Sequence, residues 1–255
     1  MKKIIPALFV LGIFISPNNA KAQVKDTSLT KNIWHDYDGT LGTHPIQMSF
    51  YLFSNDSIKG NYAYKKNAQK IAIIGKMVKG QVIATEMVDG NPNGYFKSVK
   101  WQTYSSNICE GTWTNADNTK SYEFKLSPLG ESGTSYLHRY PDVSSDAILE
   151  NFMKKVKFSV AAGNKVWLAD NISYPITVHT YDTAGTSTGT LKIKDKESFL
   201  KNYSAIFTAA FKEKLLYDMP FDLFGNYLGY MLGNGDIWVT VGSNKDTLQI
   251  SAINN

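Results

Sequence analysis

The sequence predicts two units in series. The first is an all-β antiparallel meander curled into a small barrel or half-barrel. The second is an α+β unit, cone-shaped, with helices on a curved antiparallel sheet. Three observations carry this reading. Across residues 31–127, apolar and polar side chains alternate in short runs separated by Gly, Asn and Asp, the two-residue period of strands with one buried face. From residue 143 to 255 the apolar period first lengthens to that of helices and returns to that of strands only near the end, an α+β order. Residues 128–142, with Pro128, Gly130, Ser132, Gly133 and Pro141, read as the linker. A chain of 255 residues is long enough for two moderate cores.

The first element is a leader. Lys2 and Lys3 form a positive head, Ile4 to Ile15 an apolar run, and Ala20-Lys21-Ala22 a small-residue cleavage pattern. Residues 1–22 therefore read as a secretory signal peptide, and the expected location is periplasmic or secreted. The apolar run falls short of the ~20 residues a bilayer-crossing helix needs, so no membrane span is expected after signal removal. Asp56-Ser57-Ile58, Asp182-Thr183-Ala184 and Asp246-Thr247-Leu248 match an O-glycosylation triplet of exported bacterial proteins, in keeping with export.

The meander follows. Ile33 to Leu41 opens it, then Pro45 to Phe53 places Ile46, Met48, Phe50 and Leu52 on one face, and Ser57 to Tyr64 places Ile58, Gly60, Tyr62 and Tyr64 together. Lys70 to Lys76, Gln81 to Val88, Tyr95 to Lys100, Ile108 to Trp113 and Tyr122 to Leu126 complete roughly eight strands. Short turns such as Ser54-Asn55-Asp56 and Asn115-Ala116-Asp117-Asn118 require antiparallel neighbours. The segments Tyr37-Asp38-Gly39-Thr40, Gly60-Asn61-Tyr62-Ala63-Tyr64, Gly94-Tyr95-Phe96 and Gly111-Thr112-Trp113-Thr114 resemble a meander domain of exported bacterial proteins of unassigned function, written Gly-x-Tyr-x-Tyr and Gly-x-Trp. That likeness implies a fold and no activity.

In the second unit, Val143-Ser144-Ser145-Asp146 offers caps to a helix carrying Ile148, Leu149, Phe152, Met153, Val156 and Val160, which Gly163-Asn164 ends. A short helix runs from Lys165 to Asn171, and Tyr174 to Thr180 is a strand led by Pro175. Asp182 to Thr190 reads as a loop. Asp195 caps a helix carrying Phe199, Tyr203, Ile206 and Phe207 that extends to Leu216, and Tyr227 to Val241 and Thr247 to Ile253 are terminal β segments. Tyr174-Pro175-Ile176, Lys196 to Tyr203, Ile206-Phe207, Met231 to Trp238 and Ile250 to Asn254 carry a resemblance to the nuclear-transport-factor-two-like family. The resemblance implies helices closing a sheet around a conical cavity, and a homodimer through the sheet as one arrangement.

Composition removes several classes of function. The formal charge of +5 falls to +2 once Lys2, Lys3 and Lys21 leave with the leader, and Arg139 is the only arginine. No basic cluster supports a nucleic-acid partner. Cys109 is the only cysteine, so no internal disulfide forms, and it reads as a small buried apolar residue. His35, His44, His138 and His179 form no ligand pattern, and no metal or cofactor is expected. Nucleophile elbows and phosphate loops are missing from the sequence, and Gly233-Asn234-Gly235 reads as a hairpin turn.

By the family resemblance, Asp170, Tyr174, His179, Tyr203 and Trp238 are the candidate lining of the cone. Each has a structural alternative, the aromatics as core and Asp170 as a turn cap. The expected function is a non-catalytic binding protein for a small apolar or envelope-derived ligand, or for an envelope protein partner. Two alternatives stay open: a cone-fold enzyme using Asp170 or His179 as general base, and a structural envelope adaptor with an exposed apolar patch.

Overall fold

The computed structural model describes residues 29–101, 109–182 and 186–255, so the expected leader lies outside the described residues. Eight strands come first: β1 (Ile33–Leu41), β2 (His44–Leu52), β3 (Ser57–Tyr64), β4 (Ile71–Val78), β5 (Gln81–Val88), β6 (Asn91–Lys100), β7 (Cys109–Asn115) and β8 (Ser121–Ser132). Each pairs antiparallel with the next, and β8 returns to β1, from Leu41 opposite Phe124 to Trp34 opposite Ser132. The barrel is therefore closed, which removes the free strand edges a half-barrel would carry. Lys79-Gly80 and Asp89-Gly90 make two of its two-residue turns. All four residues have φ between +50° and +78°, and paired positive φ matches a two-residue turn to the twist of its flanking strands.

The alternation read from the sequence sorts the barrel interior. Ile46, Met48, Phe50 and Leu52 of β2 face inward with Ile58, Tyr62, Phe96, Phe124 and Cys109. One carboxylate joins them. Glu86 is 3% exposed and accepts hydrogen bonds from the Tyr62 hydroxyl (2.6 Å), the Trp113 Nε1 (2.8 Å) and the Asn93 side-chain amide. Burial, and then the neighbouring carboxylate, push the Tyr62 hydroxyl far above its ordinary pKa, so it stays a donor. Gly94 lies directly under the Trp113 indole, where a Cβ has no room. The Tyr-x-Tyr, Gly-Tyr-Phe and Gly-x-Trp segments thus meet around one buried acceptor.

Two details of the barrel differ from the sequence reading. β8 runs on to Ser132, so the first residues of the expected 128–142 linker are strand, held by pairing with β1. The rest of that segment is fastened to the barrel: Trp34 donates from Nε1 to the Ser135 carbonyl at 3.2 Å and stacks on Tyr136 at 5.7 Å. Secondly, β2 is buried on both faces from Ile46 to Leu52, Gln47 and Ser49 included. On its outer face Ser49 meets Arg139 and Tyr51 lies against Tyr136, both from the joining segment.

That unit contains α1 (Asp146–Ala161), α2 (Lys165–Asp170), β9 (Ile176–Tyr181), β10 (Ser187–Ile193), α3 (Lys196–Ile206), α4 (Ala209–Leu216), β11 (Phe224–Asn226), β12 (Gly229–Leu232), β13 (Ile237–Val241) and β14 (Leu248–Asn254). The sheet order is β10-β9-β14-β13-β12-β11. It is mixed rather than antiparallel, because β14 lies parallel to β9. The long connection through α3 and α4 permits that return, which a tight turn would forbid. Ser187 to Thr190, expected in a loop, belong to β10, paired along β9; residues 183–185 lie outside the described residues. The helix expected from Asp195 to Leu216 is two helices. Phe207 and Thr208 interrupt it, and Thr208 in extended conformation caps α4 by accepting from the Phe211 N–H at 3.2 Å. Asp195 caps α3 in a reciprocal capping box with Ser198.

Leu149, Met153 and Val160 of α1, with Phe199, Tyr203 and Ile206 of α3, pack on Val178, Val239, Ile250 and Ile253 of the sheet. These side chains are buried between helices and sheet. No helix among the described residues is long and apolar enough to cross a membrane.

Candidate functional site

Where the barrel meets the second unit there is a cleft of about 610 Å³, walled by both units and by the segment that joins them. Its floor is set by Arg139, the lone arginine, which is 5% exposed. The guanidinium donates from Nη2 to Asp36 Oδ2 (2.6 Å) and from Nη1 to Ser49 Oγ (2.6 Å), both on the barrel. Nη1 also donates to Asp222 Oδ1 (3.2 Å), which precedes β11. The guanidinium carbon sits 4.8 Å over the Trp34 ring. Burial by itself favours the neutral form, but the Asp36 and Asp222 carboxylates outweigh it and hold the charge in place. Asp222 is pushed up to about 6, by burial first, with Arg139 opposing. Its backbone is left-handed, φ +53°, a conformation that Asp tolerates better than most residues.

The linker places Arg139 through Asp146. At the start of α1, Asp146 accepts from the Arg139 and Tyr140 backbone N–H groups at 2.9 and 3.1 Å and meets His138 Nδ1 at 3.0 Å. Tyr140, fully buried, accepts from the Leu223 N–H at 3.0 Å and lies edge-on to Tyr230 at 5.3 Å. Tyr230 donates to Asp142 Oδ2 at 2.9 Å. Burial and then the Asp142 contact push the Tyr230 hydroxyl up, so it remains a donor at any ordinary pH.

At the other end of the cleft, Asp218 follows α4 and faces Asp236 across Gly233. The Gly233 backbone, φ +65°, leaves its Cβ position to the Oδ2 atoms of both carboxyls. Those two Oδ2 atoms are buried and have no other hydrogen-bond partner, which a single shared proton corrects. Asp218 is accordingly pushed up to about 7, by burial and then by the Asp236 charge. Lys214 pairs with Asp236 Oδ1 at 2.6 Å, and Lys157 donates to the Leu216 and Asp218 carbonyls.

The five residues expected to line a cone do not converge. Asp170 is exposed at the end of α2 and ion-paired with Lys196. Tyr174 packs against the core and donates to the Ala169 carbonyl at 3.0 Å. Tyr203 is core, against Phe199 and Phe207. His179 and Trp238 alternate with the buried Val178, Ile237 and Val239, so they lie on the sheet face away from the helices. None of the five lines the cleft. Of the other histidines, His35 is buried between the Thr30 carbonyl (2.8 Å) and Glu131 (3.1 Å), and His44 lies edge-on to Tyr64. No cluster of three or more His, Cys, Asp or Glu suited to a metal occurs among the described residues.

The cleft residues were missed because Arg139 reads as linker and Gly233-Asn234-Gly235 as a turn. The available signals were the solitary arginine and the acidic-aromatic run Tyr217-Asp218-Met219-Pro220-Phe221-Asp222. No family model matches this chain, and no curated protein matches it.

Proposed function

We propose that this protein is an exported, non-catalytic binding protein whose ligand occupies the cleft between the barrel and the α+β unit. The observation that carries this reading is the cleft itself, whose volume of about 610 Å³ falls within the ~300–1,000 Å³ of small-ligand sites. Its walls also favour one ligand chemistry. Asp36, Asp38, Glu131, Asp142, Asp218 and Asp222 face it, against Lys65 and Arg139. Arg139 is already committed to Asp36, Ser49 and Asp222, and Lys65 to Asp38 at 2.5 Å. Little positive charge is left for an anion. Glu131 and Asp142, carboxylates outside those pairs, and the half-exposed Tyr217 and Phe224 suit a ligand that carries hydroxyl or ammonium donors on an apolar frame, such as a saccharide or a polyamine. This replaces the apolar ligand expected in a cone between helices and sheet, where Leu149, Met153, Phe199 and Val239 are buried together.

The element order, with two helices, a hairpin, two helices and antiparallel strands on one sheet, supports a nuclear-transport-factor-two-like second unit. The amino-terminal leader pattern supports a periplasmic or secreted location. A general base at Asp170 or His179 has no support from their positions.

The test is native mass spectrometry of the protein purified gently from the envelope fraction of its host, with thermal-shift titration against chitobiose, glucosamine and spermidine. A bound mass lost on denaturation, or a saturable shift that Asp142→Asn and Tyr230→Phe weaken at least several-fold, is expected. A bare protein that none of the three probes shifts would sink the proposal.

A further inference from the structure

The segment Tyr217 to Asn226 forms one wall of the cleft, with Asp218 near its start. Its other covering partner is the turn between β12 and β13, which carries Gly233 and Asp236. The two carboxyls face each other there with both Oδ2 atoms buried and otherwise unpartnered, and the Asp236 side chain is only 4% exposed. Two ionised carboxylates cannot hold this arrangement without repulsion, whereas one shared proton makes it a hydrogen bond.

We infer that the Asp218–Asp236 pair is a proton-operated latch that holds Tyr217–Phe221, the part of the wall before β11, against the β12–β13 turn and so controls that end of the cleft. That the latch regulates ligand binding rests on the cleft being the binding site; the latch itself does not.

Among the described residues, Lys214 and Lys157 are the cations that act on the pair. Lys214 from α4 neutralises Asp236 through Oδ1, not Oδ2. Lys157 from α1 spends its donors on the Leu216 and Asp218 carbonyls and anchors the start of the wall. The Asp236 carbonyl is held by the Asn254 N–H at 2.8 Å, so the turn is fixed to β14. The far end of the wall is fixed as well, Asp222 to Arg139, Leu223 to Tyr140, and Phe224–Asn226 as β11 to β12, so the stretch the latch can release is Tyr217–Phe221. The sign follows from the direction of the shift. Asp218 holds its proton up to about pH 7 in the folded chain, against an ordinary value of 3.8. The latch is therefore closed below about pH 7 and released above it.

The experiment is hydrogen exchange read by mass spectrometry on the full chain at pH 5.5 and 8.5. Exchange times are scaled for the intrinsic rate, and strands β3 to β5 serve as the internal control. Peptides spanning Tyr217–Phe221 are expected to lose protection at least ten-fold at pH 8.5 relative to the barrel. Asp218→Asn, whose amide donates where the shared proton did, is expected to stay protected at both. Equal protection of the wild type at the two pH values, or an undiminished loss in Asp218→Asn, overturns the latch. Should that variant not fold, carboxyl-carbon NMR titration of the wild type decides. Asp218 titrating near 7 supports the latch, and Asp218 titrating below Asp222, which stands at about 6, overturns it. No ligand enters these measurements, so they stand if the binding proposal fails. A ligand found by mass spectrometry whose affinity ignores pH while the wall opens would place it outside the cleft.

Discussion

Replacing Arg139 by Met removes the one charge that both units share. In the wild type Asp222 is 3% exposed at its side chain and Asp36 is 12% exposed, and the guanidinium is the cation bonded to both. Taking away one member of a buried ion cluster costs about 3–5 kcal/mol, because the remaining carboxylates lose their compensation. Loss of the guanidinium from the Trp34 face adds about 1 kcal/mol. Asp222 allows the cause to be separated from lost packing. Its pKa stands at about 6 even beside the arginine, above its ordinary value of 3.8, so its burial weighs against the folded state above that pH and is relieved below it. Without Arg139 it rises further, and acidification then neutralises the stranded charge. Urea unfolding followed by circular dichroism and by tryptophan fluorescence is the assay; Trp34, Trp101 and Trp113 report the barrel, and Trp167 and Trp238 the second unit. Arg139→Met is expected to lose about 4 kcal/mol at pH 7.5, to recover part of that at pH 5.0, and to separate the two fluorescence transitions. A loss below about 1 kcal/mol at pH 7.5, or an identical loss at both pH values, refutes the reasoning.

Two further outcomes follow from the barrel. Glu86→Gln keeps the size of the side chain but turns an amide N–H₂ toward one of three donors, and should cost about 1–3 kcal/mol in the same denaturation assay. A change below about 0.5 kcal/mol would mean that Tyr62, Trp113 and Asn93 find other acceptors. Cys109 is fully buried in the barrel core, so a thiol reagent should modify it only at the rate of barrel opening. Fast stoichiometric labelling of the folded protein would contradict its placement.

The barrel was readable because its strands obey one rule, inward apolar and outward polar, over eight repeats. Closure was not readable, since a meander in sequence is the same whether or not its last strand finds its first. The break between α3 and α4 had a local signal, Thr208 two residues after the last apolar position of α3, yet Phe207 and Phe211 continue the helical spacing and hide it. β10 was obscured for another reason. It is an edge strand whose residues Ser187 to Thr190 are exposed, so neither face carries the apolar period that marks a strand. The parallel pairing of β14 with β9 depends on where the crossover lands, and no short-range pattern encodes it.

The site is a harder case, and the reason is distance along the chain. Arg139 meets partners 103, 90 and 83 residues away, and each of them reads innocently where it stands. Ser49 occupies a solvent-facing position of β2 by alternation, Asp36 an outward position of β1, and Asp222 the approach to a short strand. Composition offered more than spacing did. Among 27 basic residues one is arginine, and arginine's planar fork is what a lysine cannot supply to two carboxylates and a hydroxyl together. A chain that uses lysine everywhere else and arginine once has placed it where geometry, rather than charge, is required. Here that position is the joint between two units, and the cleft is formed there because neither unit alone carries all of its walls.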